Sequence, residues 1–238
     1  MVNVSFLLPT NRQQSHPEIL QTAINSINVM HEGLSYEILV YAQAPVKGDH
    51  VVWIKEDSLI GPLTAFNIMG SSIAKGEYLV CCVDDHSFVN SVEGCLDVVE
   101  GPLYRDKDYK VIGLNPSGAF LTSCSCPIPN QGDLMGDSVI TERLPEASTL
   151  RFPVIRKDTL REHLSGHIFH PDLFYHAGDI WLGYFLSCKG ELTMEGPTAI
   201  RSITPLKDSS YEVEDCNTVY KLIKNHLAGN ESYTPTEY

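Results

Sequence analysis

A chain of 238 residues is long enough to bury a substantial core and falls between one ordinary domain and two full ones, so one large domain with additions is expected. Its 43% hydrophobic and 20% charged residues, with 17 Gly and 14 Pro, exclude a disordered, collagenous or membrane-embedded chain. Seventeen basic against thirty acidic side chains leave a formal charge of -13, which disfavours nucleic acid and anionic membranes as partners, and no basic patch offsets it.

The first elements read as strand, loop and helix. Val2 to Leu8 is an apolar strand ending at Pro9, and the polar loop Thr10 to Gln14 follows. Ser15-His16-Pro17-Glu18 has the form of a capping box, with Ser15 as N-cap and Glu18 at the third position. Ile19, Leu20, Ala23, Ile24, Ile27 and Met30 then recur at helical spacing. The N-terminus lacks the basic stretch and cleavage site of a signal peptide. A reducing cytoplasm is the expected location.

Tyr36 to Tyr41 and His50 to Ile54 are two further short strands, and a helix is expected from Leu63 to Ala74, closed by Lys75-Gly76. Tyr78 to Val83 is the best buried strand and is also far too short to be the roughly 20-residue span of a membrane helix, so no membrane span is expected. Cys81 and Cys82 are adjacent within it, and with an odd total of 7 cysteines they read as free thiols. Cys124-Ser125-Cys126 has no second pair at finger spacing and reads as loop thiols rather than a zinc site.

From Leu114 to Ser148 the chain is rich in Gly, Pro, Ser and Asn and reads as a long irregular excursion, the kind of segment that is often functional. Arg151 to Ile155 resumes as a strand, Asp158 to Leu164 and His176 to Ser187 as helices, and Asn217 to Leu227 as a last amphipathic helix. Alternating strands and helices predict an α/β fold, Rossmann-like, with a mostly parallel sheet that binds ligands beyond the carboxyl ends of its strands. Pro9 to Arg12 and Asp84 to His86 then share one rim.

Asp84-Asp85-His86 is the sharpest chemical signal, because a buried strand delivers two carboxylates and an imidazole onto that rim. In an extended segment Asp84 and His86 face one side and Asp85 the other. Oxygen with imidazole suits Mn²⁺ or Mg²⁺, which take their remaining ligands from phosphates and water. The competing reading is a turn in which Asp84 caps backbone amides. A carboxylate rim repels a bare pyrophosphate, so the ligand expected here is a metal–nucleotide.

Val4 to Arg12, Gly61-Pro62-Leu63-Thr64-Ala65-Phe66-Asn67, Ala74 to Val80 and Asp84-Asp85-His86 follow one another in an order and spacing that resemble the family 2 glycosyltransferases of the GT-A fold. A fifth match, Phe152 to Lys157 followed by Gly166 and His176 to Leu186, is similar to the family's acceptor-side segment. The resemblance spans about residues 4 to 190. It implies an acidic Asp-any-Asp motif, here ending in His86, and a catalytic base at the second position of a Glu-Asp pair, here Gly178-Asp179. Asp179 alone inherits that role, and simple capping of the helix start is a competing account of the same residue that can coexist with it. A base must reach the acceptor hydroxyl and stay ionised, which a helix N-terminus favours.

The resemblance implies metal-dependent transfer of a hexose-like sugar, with inversion, from a nucleotide diphosphate donor to a carbohydrate or other hydroxyl acceptor. Donor binding falls to Pro9, Thr10, Arg12, Asn67, Asp84 and Asp85, with Asp84 and His86 holding Mn²⁺ or Mg²⁺. The Asp that the family places after the second strand is missing from Tyr41-Ala42-Gln43-Ala44-Pro45, so Gln43, or Glu56 or Asp57, stands in for it. Helix packing is the plainer account of Asn67. Among the clustered histidines, His176 or His170 is a candidate third ligand or phosphate contact, and Trp181 a candidate acceptor platform unless it is a core aromatic. Residues 1–229 are expected to form one domain, with a nucleotide-sugar half (1–112), an acceptor half (113–190), a C-terminal decoration (191–229) and a flexible tail (230–238). A sugar nucleotidyltransferase is an alternative, opposed by the lack of a Gly-rich basic loop after strand one. A non-catalytic binding module with a worn site is another.

Overall fold

The fold is seen in a computed structural model that describes residues 3–92, 109–116, 150, 152–174, 178–189, 192–203, 218–219, 221–223 and 225–226. The strands β1 (Val4–Pro9), β2 (Tyr36–Ala42), β3 (Val51–Lys55) and β4 (Tyr78–Cys81) are linked by the helices α1 (Pro17–Met30) and α2 (Pro62–Ile68). Helix α2 runs into one π-helical turn, Met69–Ile73, closed by the Ala74 N–H on the Met69 carbonyl at 2.8 Å. After β4 come β5 (His86–Phe88), β6 (Tyr109–Pro116), β7 (Pro153–Arg156), α3 (Lys157–Glu162), α4 (Gly178–Cys188) and β8 (Leu192–Ser202).

Among the described residues all of the strands join one eight-stranded sheet of order β3-β2-β1-β4-β7-β6-β8-β5. The first four are mutually parallel, β6 and β8 run with them, and β7 and β5 run against. Alternation along the strands feeds two cores. Phe6, Leu8, Ile38, Val40 and Val80 face Leu20, Ile24 and Ile27 of α1, whereas Leu7, Leu39 and Leu79 face Leu63 and Phe66 of α2 and Leu182 and Phe185 of α4. Helices therefore cover both faces, as a doubly wound sheet requires. Chain progress reverses at β1, whose neighbours are β2 on one side and β4 on the other. The crevice at their carboxyl ends is the switch point where such folds bind ligands.

At the opposite end of these strands a buried polar clip fixes the register. The Ser5 hydroxyl donates to Glu37 Oε1 at 2.7 Å, which also accepts the Lys75 N–H at 2.7 Å, and the Gly76 N–H donates to Ser5 Oγ at 2.8 Å. A Cβ on Gly76 would lie 2.5 Å from the Ser5 nitrogen, so only glycine lets the chain enter β4 this close to β1.

Several expectations are corrected. Helix α1 begins at Pro17 with His16 as its N-cap and no side-chain cap bond. The His16 N–H is bound to the Arg12 carbonyl at 2.8 Å, so the turn after β1 places His16, not Ser15, at the helix start. The excursion from Leu114 opens as the end of β6, and its residues 117–148 lie outside the described ones. The segment expected to decorate the C-terminus inserts β8 between β6 and β5. The described residues between 218 and 226 are helical, as expected, and Val219, Leu222 and Ile223 join the core beneath α4. Among the described residues no helix is long and apolar enough to cross a membrane.

Candidate active site

Strands β1 and β4 end side by side, and each hands its chain to a tight polar turn. The Cys82 N–H extends the pairing to the Leu7 carbonyl at 2.8 Å, and the Thr10 N–H donates to the Tyr41 carbonyl at 3.0 Å. Beyond Val83 the chain reverses, with the His86 N–H 3.3 Å from the Val83 carbonyl, which makes Asp84 and Asp85 the central residues of a β-turn. The extended alternation expected of Asp84-Asp85-His86 is therefore absent. Both carboxylates turn toward Arg12.

Asp84, 8% exposed, accepts the Thr10 hydroxyl on Oδ2 at 2.5 Å and pairs through Oδ1 with the Arg12 guanidinium. The same Arg12 nitrogen lies 3.4 Å from Asp85 Oδ2. Asp85 Oδ1 is 2.7 Å from His86 Nδ1, and the Asp85 carbonyl accepts the Ile203 N–H at 2.7 Å, tying the turn to the end of β8. Burial pushes the Asp84 carboxyl above its ordinary value, against the opposing pull of Thr10 and Arg12. Burial also acts on Asp85, but its hydrogen bond with His86, the charge of that ring and Arg12 outweigh it and hold the carboxyl below the ordinary value.

A carboxylate only accepts hydrogen bonds, so His86 turns an N–H at Nδ1 to Asp85, and a neutral ring in that tautomer has its lone pair on Nε2. An imidazole steadied by a carboxylate in this way is the usual form of a metal-ligating histidine. The His86 side chain is 22% exposed, and the Phe152 ring packs against it with centroids 4.9 Å apart. These residues fit a Mn²⁺ or Mg²⁺ ion that takes most of its ligands from phosphates and water. Asp84, expected as a ligand, has both oxygens engaged, and Asp85 orients His86 instead. Among the described residues no group of three or more His, Cys, Asp or Glu side chains is placed to hold a metal ion.

Pro9 closes β1 opposite Tyr41 and is buried. Gln43 is exposed, and so is Asp57, which pairs with Lys55 at 2.5 Å. Glu56 is the buried acid at the end of β3, its N–H on the Ala42 carbonyl at 3.0 Å. Burial raises its carboxyl above the ordinary range, opposed by a backbone bond from Ile60. Of the three stand-ins for the missing Asp, Glu56 alone is enclosed by the rim. Asn67 is fully buried: its amide nitrogen donates to the Phe169 carbonyl and its oxygen accepts the Phe169 N–H, both at 2.9 Å. It clamps α2 to the chain ahead of α4, and its amide is already committed.

Trp181, 3% exposed, stacks on Phe185 at 5.6 Å and meets the His170 ring edge-on at 4.9 Å. It is a core residue and offers no sugar platform. His170 Nδ1 accepts the Asp172 N–H at 3.1 Å, so the neutral ring bears its proton on Nε2, which suits contact with an oxygen and not a metal. His176 lies outside the described residues. Asp179 is half-buried in the first turn of α4, where its Oδ1 accepts the Ile180 N–H at 3.0 Å. Phe152, whose ring faces His86, belongs to the acceptor-side motif, and a lone aromatic before a proline carries no sequence signal of that placement.

The glycine before Asp179 has a steric cause. A Cβ at Gly178 would stand 2.5 Å from Phe169 Cδ1 and 3.1 Å from Leu63 Cδ1, so the ring fills the space where the resemblance leads one to expect a glutamate. Gly178→Ala is expected to lose about 1–3 kcal/mol through overpacking. Urea unfolding of the two proteins measures this, and equal midpoints would show that Phe169 yields freely.

No protein-family model and no curated protein sequence matches the chain. Solved structures do share its fold. Staphylococcus aureus TarS 1-349 in complex with UDP-GlcNAc aligns over 98% of this chain and 68% of its own, at TM-score 0.59 and 13% identity. The mannosyltransferase PcManGT from Pyrobaculum calidifontis, in complex with GDP-Man and Mn²⁺, aligns over 98% and 66%, at TM-score 0.56 and 15% identity. Glucosyl-3-phosphoglycerate synthase from Mycobacterium tuberculosis, with Mn²⁺, UDP and glucosyl-3-phosphoglycerate, aligns over 98% and 82%, at TM-score 0.57 and 15% identity. The chain spans only 39% of the longer TarS structure. The fold is the GT-A type.

Proposed function

We propose that this protein is an inverting glycosyltransferase that moves a sugar from a nucleoside diphosphate donor to an acceptor hydroxyl, with Mn²⁺ or Mg²⁺ at the Asp84–His86 turn. The observation that carries the reading is the Asp85–His86 pair, 2.7 Å apart at the switch point of a GT-A sheet. Three neighbours that hold UDP, UDP-GlcNAc or GDP-Man, two of them with Mn²⁺, support it.

His86 Nε2 would hold the ion, with Asp85 orienting the ring and Phe152 limiting its tilt. When bound, the ion supplies a Lewis acid that stabilises charge on the leaving diphosphate. Thr10 and Arg12 place hydroxyl and guanidinium donors beside the same rim, and Pro9, Tyr41 and Glu56 border the space for the nucleoside. Asp179 takes the acceptor proton while the acceptor oxygen bonds to the anomeric carbon. The bond from that carbon to the diphosphate oxygen breaks on the opposite side, and its electron pair leaves with the diphosphate. One displacement inverts the configuration.

A thermal-shift screen of UDP, GDP, dTDP and CDP, each with Mn²⁺ and with EDTA, tests the reading, because a ligand of the native state raises the midpoint by mass action. One nucleotide is expected to stabilise the wild type only with metal. His86→Ala is expected to abolish that shift, and Asp85→Asn to weaken binding about 10–100-fold. A wild type that responds to no nucleotide, with or without Mn²⁺, would leave the worn-site binding module as the better account.

A further inference from the structure

Arg12 sits against both acids of the turn. Its guanidinium pairs with Asp84 Oδ1 and lies 3.4 Å from Asp85 Oδ2, the carboxylate that holds His86. Its main chain is pinned at both ends, the N–H on Thr10 Oγ1 at 3.0 Å and the carbonyl under the His16 N–H at 2.8 Å. Only the side chain, 19% exposed, has room to change partner. An arginine stays protonated at any working pH, so this positive charge is a permanent occupant of the free site.

A divalent ion arriving alone would settle across Asp85 from that charge, in a partly buried setting where like charges repel strongly. Nor does it offer Arg12 a replacement for the carboxylates. A nucleoside diphosphate does both things: its phosphate charge offsets the ion, and its oxygens present the paired acceptors that a guanidinium fork prefers. We infer that Arg12 enforces joint entry of metal and nucleotide, by holding a fixed positive charge on Asp84 and Asp85 beside His86 in the free protein and passing to the diphosphate when the metal–nucleotide arrives. This rests on the metal–nucleotide reading of the site. It makes Arg12 a specificity-determining residue that rejects free cations, and it makes metal and nucleotide affinities reciprocally coupled.

Calorimetric titration of Mn²⁺ into the full chain, alone and with saturating UDP or GDP, tests this. The wild type is expected to bind Mn²⁺ weakly alone and about tenfold or more tightly with the nucleotide that fits. Arg12→Gln should bind Mn²⁺ alone about tenfold more tightly than the wild type and lose most of the gain from nucleotide. Arg12→Lys, which keeps the charge, should leave Mn²⁺ binding weak. The inference is overturned if the Gln variant binds Mn²⁺ alone no better than the wild type, or if the Lys variant tightens as much as the Gln variant. His86→Ala separates the two levels. If wild-type binding of Mn²⁺ with nucleotide is lost in His86→Ala, the site reading stands and the Arg12 variants judge the inference by themselves; if the wild type binds neither, both fall.

Discussion

Asp179→Asn is expected to lower the rate of sugar transfer about 10²–10⁴-fold, the range over which a positioned general base acts. The affinity for metal and nucleotide should stay unchanged. Asparagine keeps the size of the side chain and can still accept the Ile180 N–H that Asp179 Oδ1 takes at 3.0 Å, so α4 has no reason to shift. What the amide lacks is the capacity to take a proton. The separation of roles is the test: single-turnover transfer and Mn²⁺–nucleotide titration on the same preparations. An Asn variant that transfers at the wild-type rate removes Asp179 from the chemistry and leaves it a helix cap.

Acidification to about pH 4 is expected to cost the fold about 3 kcal/mol through His31 alone. This ring is 2% exposed, wedged between Phe6 at 4.6 Å and Phe88 at 5.1 Å. Its Nδ1 lies 2.8 Å from the Ile27 carbonyl, and Nε2 accepts the Val92 N–H at 2.8 Å, so only the neutral ring satisfies both partners. Burial lowers its pKa from 6.5 to about 4, opposed by the Ile27 bond. The unfolded chain therefore takes up the proton first as pH falls. The contribution is complete above about pH 6.5, is lost between about 6.5 and 4, and changes no further below. Urea unfolding at pH 7 and pH 4.5 reads it as the difference between wild type and His31→Gln, since carboxylates titrate alike in both. A His31→Gln protein as acid-sensitive as the wild type would show that the burden lies elsewhere.

The parts of the fold that were legible are those whose pattern is local. Strands β1, β2 and β4 are apolar runs broken only by Ser5 and Glu37, and α1 repeats at helical spacing, so the sequence places each within a residue or two of where it lies. Strand β8 was not legible, because Gly196-Pro197 interrupts it and its register with β6 is irregular. Its pairing, not its composition, makes it a strand. At the site, the meeting of Thr10 and Arg12 with Asp84 follows from two adjacent strand ends and was legible. The facing of Asp85 was not, since a β-turn replaces the extended chain there. Asn67 and Trp181 show a different limit. An amide and an indole serve ligands and cores equally well, and only the distant Phe169 and Phe185 decide between those uses.

Among the described residues the strand that carries His86 pairs only with β8, His86 opposite Ser202, at the outer edge of the sheet. During synthesis the apolar heart of the molecule, β1 to β4 with α1 and α2, emerges first and has its neighbours at hand. The imidazole at position 86 must wait for a partner more than a hundred residues behind it on the ribosome. A proteolytic cut within residues 204–217 would leave that partner in place. Loss of everything from residue 190 onward would strip β5 of its pairing and Asp85 of its bond to Ile203, disabling a turn whose own residues, Asp84 to His86, lie in the first half of the chain.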